Sequence, residues 1–82
     1  MANLFDGVVN TENAYKELET ELSVSLVDNT TYTLQVQSGN FIISKDSQGG
    51  IIVPTDSIFN FTPKSGDTFY IRTVTPCSIC IM

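Results

Sequence analysis

The sequence predicts a mainly β chain: a small antiparallel β-sandwich or barrel of about seven short strands, preceded by an N-terminal arm and one short α-helix. Three observations lead there. From Ser23 onward apolar and polar residues alternate with a period of two, as strands with one buried face require. Gly, Pro, Asn and Asp interrupt that alternation at intervals too short for helical crossovers, so neighbouring strands run antiparallel. Ahead of it, the run NTENAYKELETEL consists largely of helix formers with a different periodicity. Residues 1–22 are therefore read as arm and helix, and residues 23–82 as the β domain.

In chain order, LFDGVV sets Leu4, Phe5, Val8 and Val9 around Gly7. The segment is too short to fold alone and too apolar to remain in water, so it needs a surface, either its own domain or another chain. In the helix, Thr11 or Asn10 is the expected cap and Glu12 stands near the positive end of the dipole. Ala14, Tyr15, Leu18 and Leu22 fall at spacings of three and four, which makes one apolar stripe. The stripe packs on the β domain or on a neighbouring subunit, or bundles with copies of itself. Strands are then expected at LSVSLV, YTLQVQ, FIIS, IIV, SIFNF, FYIRT and CSICI. Within them Leu22, Val24 and Leu26 share one face, as do Tyr32, Leu34 and Val36. Phe59 and Phe61 share a face, Phe69 and Ile71 oppose Tyr70 and Arg72, and Cys77, Ile79 and Ile81 oppose Ser78 and Cys80. The loop KDSQGG reads as a hairpin tip, with Gly49 and Gly50 supplying positive φ.

At 82 residues the chain is one domain, and so short a chain buries only roughly 60–65% of its unfolded surface, so self-association would help it. A composition 41% hydrophobic and 16% charged belongs to a packed globule rather than a disordered chain. The net charge is −5, and the cations Lys16, Lys45, Lys64 and Arg72 are spread singly, with no basic stripe to neutralise phosphates. Nucleic acid is not an expected partner. Nor is a membrane, because runs such as IIV and ICIM fall far short of the roughly 18 apolar residues of a spanning helix. MANLFDGVVN lacks a positive leader, so synthesis in a reducing cytoplasm is expected.

The two cysteines, Cys77 and Cys80, form a C-x-x-C spacing. In a strand, residues three apart face opposite sides with Cα atoms about 10 Å apart, beyond the roughly 7 Å reach of a disulfide. A redox pair would open a helix, and zinc would need two more ligands that a chain without histidine or further cysteine lacks. Cys77 is thus expected in the core and Cys80 as a half-exposed or interface thiol. Without histidine the usual general base is missing, and KDSQGG lacks the repeated acidic ligands of a calcium loop. The expectation is a non-enzymatic chain with no cofactor and no metal.

NTTYTLQVQSGNFIISKDS, SIFNFTPKSGDTFYIRT and the closing CSICIM follow one another in a layout that resembles small virion proteins of tailed bacteriophages. These carry a Y-T-L-Q-like strand, a proline-containing loop, an aromatic strand similar to FYIRT and a terminal alternating strand. The resemblance spans residues 22 to 82. It implies a structural component of the virion, made in the host cytoplasm: a capsid decoration (cement) protein, or an adaptor for a fibre or tail. Such decoration proteins often sit as trimers over joints between capsid subunits, with an N-terminal arm on a neighbour. The implied partners are the major capsid protein or a fibre or tail component, and further copies of the chain. The expected contact residues are Leu4, Phe5, Val8, Val9, Tyr15 and Leu18, and a truncation starting at Thr11 is expected to keep the β fold and lose binding. The alternative from another class is a small soluble inhibitor, an anti-defence protein that mimics nucleic acid with carboxylates gathered on one face.

Overall fold

Alternation along the chain turns into two packed sheets. The computed structural model describes residues 3–45 and 50–82, and in it the elements are β1 (Phe5–Val9), β2 (Lys16–Glu17), α1 (Leu18–Leu22), β3 (Tyr32–Ser38), β4 (Phe41–Ser44), β5 (Ile51–Val53), β6 (Ile58–Phe61), β7 (Tyr70–Thr73) and β8 (Cys77–Ile81). One sheet has the order β1-β8-β3-β6 and the other β2-β7-β4-β5. Every pairing is antiparallel. Of the sandwich and the barrel that the pattern leaves open, the chain is a small β-sandwich.

The inward residues of the period-two runs form the core. On the first sheet Leu34 stands opposite Ile81 and Val36 opposite Ile79, and on the second Phe41 opposes Thr73 and Ile43 opposes Ile71. Leu34, Val36, Phe41, Ile71, Ile79 and Ile81 are completely buried in one cluster that spans both sheets. Burying a side chain of this size is worth about 1.5–3 kcal/mol. Phe61 adds an aromatic end to the core, with ring centroids 5.0 Å from Phe69 and 5.7 Å from Tyr32.

The first 22 residues differ from expectation. Helix α1 covers only Leu18–Leu22, its N-cap is Glu17, and neither Thr11 nor Asn10 caps it. Glu12 and Asn13 take positive φ, 55° and 62°, which a helix cannot contain. Thr11 is instead buried and tied to Thr73: its amide donates to the Thr73 hydroxyl at 2.9 Å, and the Thr73 amide donates to the Thr11 hydroxyl at 2.8 Å. This reciprocal pair ties the chain to Thr73 ahead of a turn that leads into β2, and long-range hydrogen bonds thereby override a helix propensity worth only tenths of a kcal/mol per residue. Of the expected stripe, Leu18 and Leu22 reach the core, Tyr15 is half-buried and Ala14 is exposed.

LSVSLV is not a strand. Ser23 closes α1 in the left-handed region, and the chain hooks around Glu19, whose carbonyl accepts from Val24 at 3.1 Å and whose carboxylate accepts from Leu26 at 2.9 Å. Val24 and Leu26 still pack against the core, so the face assignment holds without a ladder partner. Strands β1 and β2 are the additions that the expected strands omit. LFDGVV folds back on its own chain as β1, one of the two surfaces open to it, and Val9, Leu18 and Leu22 lie in the same cluster as the strands beyond residue 23. Of the KDSQGG tip, Asp46 and Gly49 lie outside the described residues; β4 and β5 on either side do pair, and Gly50 has φ 123°.

Candidate functional site

Strand β8 is internal to its sheet and carries both thiols, on opposite faces. Cys77 is fully buried in the core, where its S–H donates to the Asn40 carbonyl at 3.2 Å. Cys80 faces outward, yet it is only 5% exposed. The expected half-exposed thiol is corrected here: Cys80 lies on an internal strand, with Asp6 and Gln35 directly opposite it on the two flanking strands. Burial pushes both thiols above the ordinary value of 9.0, and Asp6 adds charge repulsion in the same direction at Cys80. Both remain protonated at neutral pH, the form least able to attack or to ligate. Among the described residues no three His, Cys, Asp or Glu side chains gather where they could hold a metal ion.

The six expected contact residues are not brought together. Val9 and Leu18 are core, at 3% and 1% exposure, and Leu4 and Phe5 are half-buried against it. Val8 stands out at 68%. It lies on the outer face of β1, opposite Ser78, with Asp6 two residues before it. β1 is also the end strand of its sheet, so only one side of its backbone is bonded to β8 and the other is directed away from the sheet. Leu4 continues the ladder by donating to the Ile81 carbonyl at 2.8 Å.

Tyr15 sits on the other sheet. The Arg72 guanidinium lies over its ring, with Cζ 5.3 Å from the centroid, and Nη1 donates to Asn13 Oδ1 at 2.8 Å. Arg72 Nε is buried without a hydrogen-bond partner. Register places Arg72 beside Ile42 and Ile42 beside Ile52, so a cation and an aromatic ring end a row of apolar side chains. An open hollow of about 390 Å³ lies over Tyr15, Arg72, Ile42 and Ile52. The sequence sets Arg72 with Tyr70 on the strand face opposite Phe69 but does not disclose its pairing with Tyr15, because that pairing depends on β2, which the helix reading concealed.

None of the protein-family models, curated proteins or solved structures compared with the chain matches it.

On the flank opposite β1 the end strands β5 and β6 leave a cleft of about 340 Å³, lined chiefly by Ile43, Ile51, Phe59, Phe61 and Phe69. Exposed Lys45 and half-buried Asp67 pair 3.5 Å apart, and Lys45 is at the cleft wall. Such a bridge adds little stability. The geometry on both flanks can bind extended chain and apolar side chains: unpaired strand edges supply directional hydrogen bonds, and exposed Val8 and Ile58 supply area.

Proposed function

We propose that the chain is a non-enzymatic structural component of a tailed-phage virion, a capsid decoration protein that attaches to the major capsid protein along its N-terminal segment and assembles as a homo-oligomer. A fibre or tail adaptor using the same segment is the nearest alternative. The virion setting comes from the resemblance in strand layout. The observation that carries the mode of attachment is β1 itself: an end strand with an outward-directed backbone and with Val8 68% exposed. A segment of the capsid protein laid along β1 would gain backbone hydrogen bonds and bury Val8 at about 25 cal/mol per Å² of apolar surface. Repetition over a symmetric particle turns a weak single contact into durable attachment.

The soluble-inhibitor reading asks for gathered carboxylates and finds little support. Asp6 is on β1, Glu17 on β2, Glu19 and Glu21 on α1, and Asp28, Asp56 and Asp67 in connections. Glu19 and Asp67 already accept hydrogen bonds from Leu26 and Lys64 amides.

Val8→Asp tests the proposal. Truncation at Thr11 is unsuitable, because it strips five paired residues from β8 and removes Val9 from the core. Val8→Asp places a charge on an exposed side chain and should leave the circular dichroism unchanged. In co-sedimentation with particles lacking the protein, the wild type should bind and the variant should bind at least about tenfold more weakly, equivalent to about 1.4 kcal/mol. Equal binding of the two, or a wild type with no affinity for any particle, would overturn it.

A further inference from the structure

Four strands end the two sheets: β1 and β6 in one, β2 and β5 in the other. Sheet edges invite pairing with other chains, and proteins blunt them with charge, proline, brevity or irregularity. β2 is two residues long, both charged and exposed, and β1 carries Asp6 and Gly7. β5 is three residues long and runs straight into Pro54. β6, Ile58-Phe59-Asn60-Phe61, holds neither charge nor proline within its length, and Pro63 comes only after Thr62.

The phase of the ladder shows what β6 offers. The Val36 amide donates to the Ser57 carbonyl at 3.1 Å, and bonded pairs alternate along an antiparallel ladder. The next bonded pairs are therefore Leu34 with Phe59 and Tyr32 with Phe61. The amides and carbonyls of Ile58 and Asn60 consequently point away from β3, and among the described residues no backbone group meets them. Ile58 is 62% exposed on the outer face, while Phe59 is half-buried at the mouth of the cleft.

We propose that β6 joins two copies of this chain, edge to edge and antiparallel about a two-fold axis, merging two four-stranded sheets into one of eight. Charge selects the second copy as occupant. The chain carries −5, so most self-contacts oppose like charges: two β1 edges paired about Asp6 would set Asp6 against Asp6, and β2, two residues long, is too short to hold a second copy. β6 bears no ionisable group. An axis through Asn60 makes Asn60 of one copy the bonded partner of Asn60 of the other. Ile58 then faces Thr62 of the second copy in the next bonded pair, so the outward backbone groups match themselves. On the inner face the same register sets Phe59 against the second copy's Phe61. It thereby continues the stacked pair Phe59 and Phe61, whose centroids are 6.2 Å apart, across the joint. This surface lies on the opposite flank from β1, so the inference stands apart from attachment to a particle.

Sedimentation velocity of the full chain over a wide concentration range tests it, with Ile58→Lys and Val74→Lys as variants. Both side chains are exposed, at 62% and 61%, and both substitutions add the same charge. Wild type and Val74→Lys should form a dimer as concentration rises, whereas Ile58→Lys should dissociate at concentrations at least about tenfold higher. Amide exchange at Asn60 should slow in the dimer of the wild type. A dimer equally stable in Ile58→Lys, or one without protection at Asn60, would overturn the proposal in favour of another surface. A wild type monomeric at every concentration would overturn it in favour of a foreign strand at this edge.

Discussion

Gly39 occupies the corner at which the chain leaves the first sheet for the second, and its backbone has φ 83°. A Cβ there would stand 2.7 Å from Cys77 Sγ and 3.1 Å from the Pro76 carbonyl, so the corner is compatible with glycine on two independent grounds. Gly39→Ala is expected to lower the unfolding free energy by more than about 1 kcal/mol in urea titration; an unchanged midpoint would mean that the corner relaxes freely. That Cys77 and Cys80 face opposite sides was legible from alternation alone. The burial of Cys80 between Asp6 and Gln35 on the flanking strands was not, because it depends on which strands flank β8. Periodicity tells which side a residue faces but is silent about what lies above it.

At the scale of elements, β3, β6, β7 and β8 stand where alternating runs announce them, and β4 and β5 where turns flank a short apolar run. The failures share one cause. Residues 10–17 have helix-forming composition, yet Thr11 and Thr73, 62 positions apart, exchange hydrogen bonds that hold the segment against β7 and out of a helix. No local signal encodes a partner so distant. Thr73→Val keeps the shape and removes the acceptor for the buried Thr11 amide, which should cost about 1–3 kcal/mol. A denaturation midpoint within error of the wild type would show that the pair does not hold this segment. LSVSLV fails in the reverse sense: its apolar residues point the right way, but the Glu19 carboxylate takes the Leu26 amide that a neighbouring strand would have bonded.

For the molecule as a whole, antiparallel pairing followed from spacing, because connections this short leave no room for crossovers, whereas the choice of sandwich over barrel did not. Strand order did not, and the candidate surfaces depend on strand order: β1 and β6 matter because they end a sheet, a property of topology. The apolar character of Val8 was visible in the sequence, while the burial of Val9 beside it required knowing that β1 pairs with β8. Among the described residues no helix is long and apolar enough to cross a membrane. The central claim, attachment through the β1 edge, is tested most directly by hydrogen exchange resolved to single amides, on the chain alone and bound to particles lacking it. Slower exchange on the particle is expected within Phe5–Val9, at the amides not already bonded to β8. Unchanged exchange across those five residues in the bound protein would contradict it.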